Sequence, residues 1–312
     1  MDILLQIVLL AIGFAMLMKG ADWFVEGASA VADRLGIPLI VIGLTIAAMG
    51  TSLPEAAVSI SAATKGSAGI TIGNVVGSNI MNVLVILGLT GVIRKVSVQK
   101  NTIRYEIPFT ILITALLAGL GLVDQKINRF EGAILWAFMI LYLAYLYWLT
   151  KHGVPLGDMP EVDKSEPVWK MIVMIVVGIV MIVWGSDISV DAATALAKMF
   201  GMSERLIGLT IVAFGTSLPE LVTSVTAAIK GKADIAVGNI VGSNIFNILF
   251  VVGTTALITP VTYSSDFLVD SLVAVATMIL LLVCVARKKE LGRPAGIVML
   301  LVYAGYFVYL IQ

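Results

Sequence analysis

The sequence predicts an all-α integral membrane protein of ten transmembrane helices, arranged as two inverted five-helix repeats with broken second and seventh helices. Three observations carry this. The 312-residue chain is 59% hydrophobic and only 13% charged, with a mean hydropathy of +1.04, whereas a soluble domain holds about a quarter charged residues. Its apolar runs are about 20 residues long or longer, enough to cross ~30 Å of hydrocarbon as helix. The sequence also matches itself at a shift of 165 residues.

The apolar runs place spans at 3–33, 38–64, 68–93, 104–123, 127–150, 167–198, 204–229, 233–258, 266–286 and 293–311. No stretch alternates apolar and polar residues as a membrane β-strand does. The one clearly polar connection, KHGVPLGDMPEVDKSE at 151–166, is acidic, holds the single histidine and two prolines, and reads as a cytoplasmic linker. It divides a first repeat, 1–150, from a second, 167–312. The N-terminal MDILLQ lacks a basic n-region, so the first apolar run is expected to remain as a span. A lone cysteine, Cys284, cannot form an internal disulfide. Zero net charge leaves no nucleic-acid footprint. The lipid bilayer is the partner that composition implies, and no protein partner is indicated.

The repeat is specific. IGLTIAAMGTSLPE at 42–55 meets IGLTIVAFGTSLPE at 207–220 with 12 of 14 residues identical, and GNVVGSNIMNVL at 73–84 meets GNIVGSNIFNIL at 238–249 with 9 of 12. Five spans per copy is an odd number, so the second copy enters the membrane from the opposite side. Inverted repeats of this kind build many secondary transporters, with the site at the repeat interface. With the N-terminus outside, the inner connections carry 13 Lys and Arg and the outer ones five. The positive-inside rule therefore puts both termini outside.

Within each repeat two elements carry chemistry. Pro54 and Pro219 cannot donate to the carbonyls of Gly50 and Gly215, so both helices break where Thr51, Ser52 and Glu55, or Thr216, Ser217 and Glu220, crowd together. In hydrocarbon such a break is tolerated only inside protein or beside a water-filled cavity. A hard cation is one partner for the freed carbonyls. Asn74, Ser78 and Asn82, and their copies Asn239, Ser243 and Asn247, are spaced by four and share a helix face that can complete an oxygen cage. Oxygen donors with two carboxylates suit Ca²⁺ or Na⁺, not a soft metal. Helix packing explains an isolated Gly/Ser/Asn stripe, and a simple kink explains an isolated proline. A mid-span glutamate is costly and marks function, and here the whole combination occurs twice. Asn79 and Asn244 point elsewhere and read as packing or hydrogen-bonding residues. Asp22, Glu26, Asp187 and Asp191 read as interfacial or intra-bundle pairs rather than as a vestibule.

GTSLPE paired with GNxxGSNIxN in each half resembles the two alpha-repeats, about 42–84 and 207–249, of the calcium/cation antiporter superfamily, most closely the prokaryotic sodium/calcium exchangers. The resemblance implies that Glu55 and Glu220 are the central Ca²⁺ ligands and that Thr51 and Thr216 lend backbone carbonyls. It implies that Ser52, Ser217, Ser78 and Ser243, with the carbonyls of Ala48 and Ala213, form flanking Na⁺ sites, while Asn82 and Asn247 line the centre. It also implies that the first and sixth helices slide against the other eight. Asn247 stands where potassium-dependent members carry an acid, which argues against potassium co-transport, and the short linker leaves no room for a large regulatory region.

The expected function is exchange of Na⁺ for Ca²⁺ by alternating access, with Na⁺ entry driving Ca²⁺ out across the cell membrane. No cofactor is expected, because the ions are substrates. The alternative is a proton/calcium antiporter using the same two glutamates. A passive channel suits an inverted repeat less well, and an intramembrane enzyme least: there is no HExxH, and the single His lies in the linker.

Overall fold

Hydrocarbon offers backbone groups no hydrogen-bond partners, so a spanning segment must satisfy its own, and helices do so. The computed structural model, described over residues 3–64, 70–152, 167–201, 213–265 and 267–311, is accordingly helical almost throughout. Its helices are α1 (Ile3–Leu35), α2 (Leu39–Thr51 and Leu53–Thr64), α3 (Ile70–Ile93), α4 (Thr102–Asp124), α5 (Arg129–His152), α6 (Val168–Met199), α7 (Ala213–Thr216 and Leu218–Ile229), α8 (Ala233–Ile258), α9 (Phe267–Ala286) and α10 (Arg293–Ile311). Eight are single helices long and apolar enough to cross a membrane, and the bent pair of α2 makes a ninth. Most of the linker, Lys65, and the start of the seventh span with residues 207–212 of its motif lie outside the described residues.

Two short antiparallel ladders bear on the topology. β1 (Val96–Ser97) pairs with β4 (Glu290–Leu291), and β2 (Lys126–Ile127) with β3 (Val261–Thr262). Paired strands lie on one side of the membrane, so an even number of crossings separates β1 from β4. Five long helices lie between them, and the short pair of α7 supplies the sixth. The layout is compatible with ten crossings. The two ladders, one joining the α3–α4 and α9–α10 connections and the other the α4–α5 and α8–α9 connections, sit on opposite faces.

The helices carrying GNxxGSNxxN form the centre: 94% of the most apolar stretch of α8 is buried, against 11% for α10. Around them α1 and α6 pack on each other through glycine. A Cβ on Gly178 would lie 2.8 Å from the Gly20 carbonyl oxygen, and one on Gly185 would lie 2.8 Å from that of Gly13. Such small-residue contacts let two backbones touch without interlocking side chains.

Gly178→Ala should therefore lower thermal stability in detergent by about 1–3 kcal/mol, the usual cost of overpacking. Gly119→Ala, whose new methyl meets nothing within 4 Å, should be near neutral. Equal effects of the two would show that the α1–α6 contact is not close-packed.

Candidate cation-binding site

The site is built from its two helix breaks. At Ser52 the backbone turns to φ −85°, ψ 10°, and at Ser217 to φ −92°, ψ 3°. At the first of these α2 bends by 44°. Each proline then falls in the first turn of a fresh half-helix, where its missing N–H costs nothing. Each glutamate follows it in that turn, where free amides and the helix dipole favour negative charge. A break in mid-membrane thus makes a helix N-terminus for a carboxylate to sit on.

The two breaks face each other. Ser52 of the first repeat donates a 2.9 Å hydrogen bond to Glu220 Oε1 of the second, and Ser243 reaches the same oxygen at 3.4 Å. Glu55 lies within electrostatic reach of Glu220. Both glutamates are buried, at 1% and 0% exposure. Both carboxylate oxygens of Glu55, Oε2 of Glu220, Oγ of Ser217, and Oδ1 of Asn82 and of Asn247 are buried without a hydrogen-bond partner. Buried polar atoms are nearly always paired. Six oxygens left over on the two breaks and on α3 and α8, five of them able only to accept, make a donor set that fits a hard cation.

The other expected residues fall as follows. Thr51 is buried, and its hydroxyl lies 3.1 Å from both Asn239 Oδ1 and the Ala47 carbonyl. Thr216 is half-buried and lines a cavity. The Ala48 carbonyl lies 3.4 Å from Ser243 Oγ. Ala213 is the first described residue of α7. Ser78 is buried beside a second cavity, of about 250 Å³, that also touches Asn74, Asp270 and Tyr306.

Three expectations change. The carbonyl freed by Pro219, that of Gly215, accepts a 2.8 Å hydrogen bond from Ser186 of α6 and so needs no cation. Position 21, the equivalent of Ser186 in α1, is alanine, so this brace exists in one repeat only. Asn74 and Asn239 brace the cage rather than line it: their amides donate to the backbone oxygens of Glu55 and Glu220 at 3.2 and 3.4 Å, and to Ser59 and Ser224. The acidic pairs on α1 and α6 are not alike. Asp22 and Glu26 bind Lys230 at 2.9 and 2.8 Å. Partial burial pulls the Lys230 ammonium down, but the two carboxylates outweigh it and hold its pKa above the ordinary lysine value. Asp187 and Asp191 instead line a cavity of about 520 Å³ that reaches Pro54, Gly215 and Thr216, the vestibule that the sequence reading had set aside.

One buried carboxylate escaped the sequence reading. Glu106 is 1% exposed, accepts a short hydrogen bond from Tyr145, and keeps Oε2 unpartnered. Its signal was an acid near the start of an apolar run, which the span edge at 104 made look interfacial.

Comparison with known proteins bears on the chain as a whole. The family model described as sodium/calcium exchanger protein matches residues 5–149 and 170–312. The putative antiporter CaxA of Alkalimonas amylolytica is 39% identical over 97% of this chain and 98% of its own. The sodium/calcium exchanger MaX1 of Methanosarcina acetivorans is 30% identical over 99% of each. A structure of the sodium-calcium exchanger NCX_Mj superposes with a TM-score of 0.85 at 32% identity, covering 99% of this chain and 100% of the other.

Replacing either carboxylate by its isosteric amide, Glu55→Gln or Glu220→Gln, should weaken divalent-cation binding about 100-fold or more, since a buried ion loses one of two opposing charges. Titration calorimetry on the purified chain reads this, with Glu290→Gln, a partly exposed residue of β4 paired with Lys95, as the neutral control. Wild-type affinity in both amide variants would remove the glutamates from the site.

Proposed function

The chain belongs to the sodium/calcium exchanger family, and from that premise we propose how its cage exchanges Na⁺ for Ca²⁺. It is a multi-pass membrane transporter with the two ions as substrates. The observation that carries the reading is the set of six buried, unpartnered oxygens on the two broken helices and on α3 and α8. Glu55 and Glu220 hold Ca²⁺ centrally, joined by the carbonyls of Thr51 and Thr216. Ser52, Ser217, Ser78 and Ser243, with the carbonyls of Ala48 and Ala213, serve flanking Na⁺ sites, and Asn82 and Asn247 line the centre.

Charge then dictates exchange. Two ionised carboxylates in a low-dielectric cage need about two positive charges to balance them. One Ca²⁺ supplies these, and so do two Na⁺, so the two loads exclude each other. An empty cage crossing between states would carry two uncompensated charges, so the return step needs cargo.

The two ends of the α1–α6 pair differ in a way that supports alternating access. The Asp187–Asp191 end opens on a cavity reaching α2 and α7, while the Asp22–Glu26 end is tied to Lys230 at the α7–α8 connection. With both termini outside, as the basic residues argue, the open end is extracellular and the tied end cytoplasmic. In the cell membrane the inward Na⁺ gradient then drives Ca²⁺ out.

Proteoliposomes loaded with Na⁺ should accumulate Ca²⁺, while vesicles loaded with K⁺ or choline at the same pH should not. Uptake indifferent to Na⁺ and driven by a pH gradient would replace this reading with proton/calcium antiport on the same glutamates.

A further inference from the structure

An asparagine side chain has two faces. Its oxygen accepts, its nitrogen donates, and a half-turn of the amide exchanges them. Beside a cation only the oxygen face is favourable. Asn82 and Asn247 are fully buried, and each leaves Oδ1 without a hydrogen-bond partner. Their nitrogens are occupied: Asn82 Nδ2 donates to Asn244 Oδ1 at 3.0 Å, and Asn247 Nδ2 donates to Asn79 Oδ1 at 3.1 Å. Asn79 and Asn244 are fixed in turn, because Asn79 Nδ2 donates to the Asn244 main-chain carbonyl at 3.1 Å and Asn244 Nδ2 to that of Asn79 at 3.2 Å.

The order of these bonds matters. A main-chain carbonyl can only accept. The Asn244 carbonyl therefore requires the NH₂ face of Asn79. That leaves the Asn79 oxygen for Asn247, which must answer with its own NH₂ and so keep its oxygen for the cage. The same sequence runs from the Asn79 carbonyl through Asn244 to Asn82. Orientation is propagated from backbone to cage with no free choice of amide flip.

We infer that Asn79 and Asn244 are positioning residues, outside the ligand set, that lock Asn247 and Asn82 with their oxygens toward the cation. The inference rests on the cage being the transport site. Each repeat orients the other repeat's residue, so neither half can complete the centre alone. The π-helical turns of α3 and α8 begin at Asn82 and Asn247 themselves, where the orientation has to be delivered.

A double-mutant cycle on Ca²⁺ binding to the purified full chain separates this role from simple helix packing. Asn79→Ala should raise the Ca²⁺ dissociation constant about tenfold, the loss of one oriented contact to a charge. In an Asn247→Ala background the same change should add almost nothing, because there is no amide left to orient. In vesicles the half-saturating Ca²⁺ concentration should rise while the maximal rate is kept. The Asn244→Ala and Asn82→Ala cycle gives the mirror test if an Asn79 variant fails to fold. Wild-type affinity in Asn79→Ala, or a tenfold penalty that persists on top of Asn247→Ala, would overturn the inference. Absence of Ca²⁺ binding by the unaltered chain would instead sink the cage reading on which it rests.

Discussion

Two carboxylates buried within electrostatic reach of each other, Glu55 and Glu220, set the terms for the rest of the molecule. Each charge loses several kcal/mol of hydration on leaving water, and their mutual repulsion adds to that. The fold supplies partial compensation: a half-helix N-terminus under each glutamate and a serine hydroxyl from the opposite break on Glu220. It does not supply a counter-charge. Among the described residues no lysine or arginine pairs with either glutamate, and both oxygens of Glu55 remain without a partner. A protein that needed only stability would have placed an arginine or a leucine there. This one keeps the deficit, which the proposed exchange fills with a cation that can leave again.

The surrounding architecture follows from having to hold that deficit rigid on one side and mobile on the other. The α3–α8 core is close-packed and cross-braced. Asn74 and Asn239 hold the glutamate backbones, and the four-asparagine network spans the interface between repeats. Against this core lies α1–α6, joined through glycines whose backbones touch. A glycine-on-glycine contact lets the two backbones approach until they touch, so α1 and α6 pack as one close pair. The glycine contact holds α1 and α6 together by close packing, and the asparagine network holds the two repeats together by directed hydrogen bonds.

Much of this was legible in the sequence. The ten-span layout needed only apolar run length and an internal match, and hydrophobicity is what the bilayer reads. The glutamates, serines and central asparagines stood out as candidates because the break and the stripe recur at a fixed shift. What escaped is instructive. Asn79 and Asn244 lie off the four-residue stripe, so face arithmetic sent them away from the site; only the pairing of two distant spans shows what they do. The hydroxyl of Ser186 on the Gly215 carbonyl breaks the repeat symmetry, and an argument from repeats cannot see an asymmetry. Asp22–Glu26 and Asp187–Asp191 look equivalent in sequence, yet one pair meets Lys230 and the other lines a cavity. That difference lies in what packs against each pair, Lys230 on one side and the Pro54–Gly215 cavity on the other, which a repeat match does not encode. Glu106 was hidden by its place at the edge of a span, where a carboxylate usually reaches water.

The central claim is that one cage takes either Ca²⁺ or Na⁺, never both at its two carboxylates. Equilibrium displacement of bound radioactive Ca²⁺ by Na⁺, on the purified protein at fixed pH and ionic strength, tests it most directly. The account predicts complete displacement with a Hill coefficient above one, since more than one Na⁺ must enter to release one Ca²⁺. Ca²⁺ that stays bound at saturating Na⁺ would contradict it, because the two ions would then occupy separate sites and charge exclusion could not couple their movements.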